Sequence, residues 1–347
     1  MSHKIGCINY ATEQGLGILM KDFYDAGVIT HPLIIHNSGR ETHLEWYPED
    51  TLALHGRTLS RVEYRSNAFK RWLSQIETLL IFETPFEWKI VKMARSMGIK
   101  TVLVPMYECM PTTLPELPDL IVCPSMLDLD YYRNDERYKS RAVFLPIPVN
   151  SRIEFSERKV AETFVHNAGY GGLKNRNGTG ELVEAIRMCK SDARFIIRSQ
   201  KRLQWDVKDL VSSGRLKLIT GSTPYERLSE LYAQGDVFIF PEKFNGLSLP
   251  LQEAHASGML VMCGDRHPMN LWLPDEPLIP IREYRRERVS PRFYEFDSAI
   301  YKCEDIANRI DEWYGKDIEW FSLEGKTFGQ AMSWGALRDV WVDTLTG

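Results

Sequence analysis

The residues from Gly235 to Val261 read Gly-Asp-Val-Phe-Ile-Phe-Pro-Glu-Lys-Phe-Asn-Gly-Leu-Ser-Leu-Pro-Leu-Gln-Glu-Ala-His-Ala-Ser-Gly-Met-Leu-Val. An apolar run, Val237–Pro241, gives way to a loop holding Asn245 and Gly246, and Pro250 falls where the first turn of a helix would begin. A helix that starts at the carboxyl end of a parallel strand turns its free backbone N–H groups into the crevice there. Those groups, aided by the helix dipole, can hold a phosphate. Glu253, one turn in, could accept hydrogen bonds from sugar hydroxyls; a carboxylate suits a vicinal diol because both its oxygens are acceptors. On these residues alone, an ordinary β-α loop with a surface glutamate fits as well.

The elements that must position this stretch follow from the alternation of short apolar runs with helical patterns, which predicts β-α units around parallel sheets. In the first half the expected strands are 5–10, 33–36, 78–82, 101–104, 120–123 and 143–145, with amphipathic helices over 18–26 and 86–97. The segment Pro146-Ile147-Pro148-Val149-Asn150 breaks the rhythm, since two prolines in three residues suit neither a helix nor a central strand. The pattern then restarts, with strands expected at 164–168, 193–198, 216–220, 237–241 and 260–263 and helices at 180–189, 225–234 and 249–257. A charged segment, Arg282–Arg292, and helical patterns close the chain.

Composition sets the outer limits. The 347 residues are 44% hydrophobic and 26% charged, with a formal net charge of −4. That length accommodates two domains, and the charge leaves nucleic acid or an anionic membrane to be met only by local patches. The six cysteines are scattered without a C-x-x-C pair, which fits reduced thiols better than a disulfide framework or zinc site. With no signal-peptide core and no apolar run near the ~20 residues that span a bilayer, a cytoplasmic location is expected.

The order Asp, apolar strand, Pro, glycine loop, Leu-Pro, Glu-Ala-x-Ala-x-Gly and second strand resembles the donor-site motif of glycosyltransferase family 4. The resemblance implies an α/β protein of the GT-B fold, with two Rossmann-like β/α/β domains facing across a central cleft. Residues 1–150 would form the acceptor-side domain and 151–327 the donor-binding domain, with a C-terminal helix at about 328–347 that could pack back on the first. In that family two glutamates stand eight positions apart. The second, which binds the nucleotide's ribose, maps onto Glu253; the first, which touches the transferred sugar, falls on Asn245. This departure puts the sugar's identity in question. Gly246, Leu247 and Ser248 would supply backbone amides to the donor sugar and diphosphate.

The resemblance extends to Phe164–Ile186, where a strand, a glycine loop including Gly171, and a helix open the second domain. Lys174 and Arg176 are the implied partners of the diphosphate leaving group, with Arg198 a third, because negative charge grows there in the transition state. Thr220 to Tyr225 is placed as the nucleobase loop. In the first domain, Gly15 and Gly17 follow the first strand and resemble the glycine-rich loop near the donor. Glu108, after the strand 101–104, is the acceptor-side candidate. The family implies retention of anomeric configuration, no cofactor beyond the nucleotide-sugar co-substrate, and no metal.

The expected acceptor is a saccharide or lipid-linked glycan. The alternatives are a hydroxymethylpyrimidine base in DNA, or a nucleotide-sugar-binding protein without activity. Arg57, Arg61 and Arg65 recur every four residues, and Arg282, Arg285, Arg286, Arg288 and Arg292 cluster. Such stripes could meet DNA or a membrane periphery, although Glu63, Glu283 and Glu287 lie among them. A nicotinamide dehydrogenase is disfavoured because no G-x-G-x-x-G with a downstream acid follows the first strand.

Overall fold

Thr78–Phe82 is buried at all five positions. A strand with no solvent face belongs in the middle of a parallel sheet covered by helices on both sides. The computed structural model, which describes residues 3–36, 41–55, 64–170 and 175–347, shows such sheets in each of two compact units. The first unit comprises Met1–Asn150, Ser290–Tyr294 and Trp334–Gly347; the second comprises Ser151–Val289 and Glu295–Ser333.

In the first unit, β1 (Ile5–Asn9), β2 (His31–His36), β3 (Leu52–His55), β4 (Thr78–Phe82), β5 (Lys100–Val104), β6 (Leu120–Cys123) and β7 (Ala142–Phe144) form one sheet in the order β3-β2-β1-β4-β5-β6-β7. Every pairing is parallel. The order reverses direction between β1 and β4, the doubly wound pattern whose switch point opens a crevice at the strands' carboxyl ends. The connecting helices include α1 (Gly15–Asp25), α2 (Asn67–Leu73), α3 (Lys89–Ser96) and α4 (Met126–Arg133). Ser66 and Ser125 cap α2 and α4 by accepting the N–H of Phe69 and Asp128.

The second unit repeats the plan with β8 (Thr163–Gly169), α5 (Thr179–Met188), β9 (Arg194–Ser199), α6 (Lys208–Ser212), β10 (Leu216–Thr220), β11 (Val237–Phe240), α7 (Leu249–Ala256) and β12 (Leu260–Cys263). Its sheet runs β10-β9-β8-β11-β12, again all parallel, with the switch point between β8 and β11. An antiparallel pair, β13 (Glu283–Glu287) and β14 (Phe296–Ile300), follows. The helices α8 (Cys303–Trp313) and α9 (Glu319–Ala331) complete the unit. Gly325 of α9 lies so close to α7 that a Cβ there would meet the His255 carbonyl at 2.1 Å.

The last helix, α10 (Trp334–Thr346), returns to the first unit. Phe23 makes edge contacts with Trp334 and Trp341, at 4.7 and 4.9 Å between ring centroids. The two indoles donate to Asp22 Oδ2 (2.6 Å) and to the Pro146 carbonyl (3.0 Å). A buried aromatic with its N–H satisfied is a strong anchor, which is why this short helix can leave α9 behind.

Several sequence expectations shift. The charged segment beginning at Arg282 contains a strand, β13, exposed along nearly its whole length. The helix expected at 225–234 is a 3-10 turn, Tyr225–Leu231, kinked at Arg227. Arg57 and Arg61 lie outside the described residues, and Arg65 precedes the Ser66 cap of α2.

The two glycines in the first turn of α1 have separate roles. A Cβ at Gly17 would sit 2.2 Å from the Thr12 carbonyl oxygen, whereas one at Gly15 meets nothing within 4 Å. Gly17→Ala should therefore lower the melting temperature, at a cost of about 1–3 kcal/mol for overpacking, while Gly15→Ala leaves it unchanged. Thermal unfolding of both variants checks this.

Candidate functional site

The switch point of the second unit is built from the loops that follow β8 and β11. Gly178, in the left-handed region at φ 68°, caps the start of α5. A Cβ there would lie 2.1 Å from the Pro241 carbonyl oxygen, so the two loops touch through backbone. They are stitched further by the Lys243 N–H to the Arg176 carbonyl (2.6 Å) and by the Lys243–Glu181 ion pair (2.6 Å). Below them His166 is buried, hydrogen-bonded to the Ile239 carbonyl and to Thr179 Oγ1, and burial pulls its pKa down to about 4. A neutral imidazole there is a brace, not an acid.

The β11–α7 loop is held from inside. Asn245 donates through Nδ2 to Glu242 Oε1 (2.8 Å) and accepts the Leu247 N–H at Oδ1 (3.1 Å). Glu242 pairs with Arg266 at 2.9 Å, both side chains almost wholly buried. Phe244 stacks on Phe296 at 4.3 Å between centroids. The Leu247 amide is thus engaged, while among the described residues the amides of Gly246 and Ser248 donate to no acceptor.

Pro250 occupies the first turn of α7, and its N-cap residue, Ser248, makes no side-chain cap. Ser248 Oγ is buried without a hydrogen bond, as are Gln252 Oε1 one turn on and Asn175 Oδ1 in the facing loop. Asn175 also holds a positive φ of 51°. Glu253 accepts the hydroxyl of buried Tyr232 at 2.5 Å, and burial, then the Glu253 carboxylate, pushes that phenol well above its usual range. Arg198, at the end of β9, donates to Thr223 Oγ1 (2.8 Å). Burial lowers its pKa, against the pull of Glu230 and Tyr232. Thr220 ends the neighbouring β10 and is exposed.

The structure therefore brings Asn245, Gly246, Leu247, Ser248 and Glu253 onto one loop and helix start, with Arg198 and Thr220 at the same edge of the same sheet and Arg176 in the facing loop. Gly171 and Lys174 lie outside the described residues. Glu242, Arg266 and Tyr232 escaped the sequence reading. Their signal was position: Glu242 directly follows Pro241, and Arg266 lies just beyond β12, the neighbour of β11.

In the first unit, Gly15 and Gly17 sit at the switch point, beside β4. Glu83 ends β4 there with φ 61°, an unusual conformation for a non-glycine residue. Glu108 is buried at 1% exposure in the turn after β5, close enough to Asp128 for its charge to raise that group's pKa. Asp128 accepts the Tyr107 N–H (3.0 Å) and the Ser125 hydroxyl. Among the described residues, no group of three or more His, Cys, Asp and Glu side chains is placed to hold a metal ion. No described helix is long and apolar enough to cross a membrane.

No family model and no curated protein matches the sequence. Among solved structures, the chain resembles the sucrose-phosphate synthase tll1590 of Thermosynechococcus elongatus, with a TM-score of 0.68 and 14% identity over 99% of this chain and 98% of that one. It resembles Anabaena Alr3699/HepE, solved with UDP and glucose, at a TM-score of 0.67 and 10% identity over 99% and 100%. WaaG, a glycosyltransferase of lipopolysaccharide biosynthesis, superposes at 0.60 with 11% identity over 99% and 100%. At these identities the likeness is one of architecture. The chain has the GT-B fold: two parallel-sheet, Rossmann-like units.

Burial, reinforced by Glu108, pushes Asp128 up to about 7. Its folded pKa lies above its unfolded value, so its stabilising contribution is full below about pH 4 and is lost as pH rises through 7. Denaturant unfolding at pH 5 and pH 8 should show a loss of stability in the wild type that Asp128→Asn, which keeps a side-chain oxygen to accept a hydrogen bond, reduces.

Proposed function

We propose that the protein is a glycosyltransferase that takes a sugar from a nucleoside diphosphate sugar to an acceptor hydroxyl, with retention of configuration. The observation that carries this reading is the set of unsatisfied polar groups at the second unit's switch point. Ser248 Oγ, Gln252 Oε1 and Asn175 Oδ1 are buried without hydrogen bonds, each costing on the order of 1–3 kcal/mol. Buried groups of this kind call for an explanation, and together with the amides of Gly246 and Ser248 they suit the oxygens and hydroxyls of a sugar diphosphate.

In this reading the start of α7 cradles the diphosphate, and Arg176, Lys174 and Arg198 neutralise it as it departs. Glu253, held by Tyr232, takes the ribose. No step requires a metal. The acceptor is a saccharide or lipid-linked glycan, with Glu108 on its side of the reaction. DNA is less favoured: Arg286 and Arg288 of the basic cluster are engaged by Asp297 and Glu295.

The neighbour HepE was crystallised with UDP and with UDP-glucose, which makes uridine nucleotides the first probes. Thermal unfolding with a panel of nucleoside diphosphate sugars tests the reading, since a ligand at 100 times its Kd stabilises the folded state by about 2.7 kcal/mol. At least one member should raise the melting temperature of the wild type and raise that of Glu253→Ala much less. A panel that shifts nothing, or an equal shift in Glu253→Ala, contradicts the assignment.

A further inference from the structure

The loop that offers the Gly246 and Ser248 amides is set by a relay of side chains beneath it. Arg266 donates Nη2 to Glu242 Oε2 (2.9 Å), Nε to the Glu242 carbonyl (3.1 Å) and Nη1 to the Asn245 carbonyl (2.9 Å). The other Glu242 oxygen takes Asn245 Nδ2, and Asn245 Oδ1 takes the Leu247 N–H. The Tyr301 hydroxyl closes the relay from behind, donating to the Glu242 carbonyl at 2.7 Å. It lies so close that a Cβ at Gly264 would sit 2.0 Å from it.

A buried ion pair contributes little net stability, because an apolar pair of similar size often serves as well or better. What this one does is geometric. Each contact fixes a peptide plane between 242 and 247, and by occupying the Leu247 N–H it leaves the amides on either side for a ligand. We infer that Glu242 and Arg266 are positioning residues for the donor's diphosphate, acting through Asn245 without themselves touching the diphosphate. The inference rests on the function proposed above. It also accounts for Asn at 245: a glutamate there would set its carboxylate against that of Glu242, whereas an amide can donate to one side and accept from the other.

The test measures affinities for UDP and UMP, which differ by one phosphate, in the wild type and in Glu242→Gln, Asn245→Ala and the double variant Glu242→Leu with Arg266→Met. The first variant leaves Arg266 short of a partner and lowers stability. The double variant removes both charges and should regain the wild-type melting temperature. All three are expected to lower the UDP-to-UMP affinity ratio by about 10-fold, as the loss of one or two well-placed hydrogen bonds would. A merely structural pair would restore the ratio along with the stability. A double variant or Asn245→Ala with a wild-type melting temperature and a wild-type ratio overturns the inference alone. Absence of UDP and UMP binding to the wild type overturns it together with the proposed function.

Discussion

The pairing of β8 with β11 at the centre of the second unit's sheet is the constraint on which the site depends. It joins residues more than seventy positions apart, Phe164 to Val237 and Val165 to Phe238, and makes two βα loops neighbours at the strands' carboxyl ends. Their approach is tight enough that only glycine fits at 178. Because parallel strands must be joined by crossovers, the chain leaves the sheet on opposite sides after β8 and β11. A switch point of this kind opens a crevice by topology, before any side chain contributes. Gly178, lacking a side chain, lets the loops meet, and the side chains then divide the labour: Lys243 ties the loops through Glu181, Glu242 and Arg266 set the peptide planes, and Ser248, Gln252 and Asn175 keep polar atoms unspent.

That last feature carries an energetic cost that the rest of the unit offsets. Helix α7 is buried along nearly its whole length, with Leu251, Ala254 and Ala256 in the interior and α9 packed on its back at Gly325. The strands beside it bury Phe238, Phe240 and Val261 in the same apolar cluster. A helix start so firmly held can leave its N-cap hydroxyl without a partner, which an exposed helix of eight residues could not do at equal stability. Rigidity of this kind suits a binding site, since a ligand then orders little on arrival.

Much of this arrangement was legible in the sequence, for identifiable reasons. The strands of both sheet centres are continuous apolar runs, and Pro250 and Gly258 bracket α7 where the pattern placed it. β3 was missed because Leu52–His55 is four residues long and sits at the sheet's edge, too short for alternation to register. β13 was missed because a strand exposed on both faces has no apolar period. Among the candidate site residues, Glu253 and the Gly246 loop stood out through local order. Glu242 and Arg266 did not, because their meaning lies in a contact across 24 positions that only the β11–β12 pairing creates. Asn245 stands where the resemblance puts a sugar-contacting glutamate; its hydrogen bonds tie the loop to that buried pair.

If the start of α7 binds the donor's diphosphate, a crystal structure of the protein with a uridine diphosphate sugar tests it most directly. Diphosphate oxygens should lie within hydrogen-bond distance of the Gly246 and Ser248 amides, and the ribose hydroxyls on Glu253. A nucleotide bound elsewhere, with Ser248 and Glu253 untouched, would contradict it.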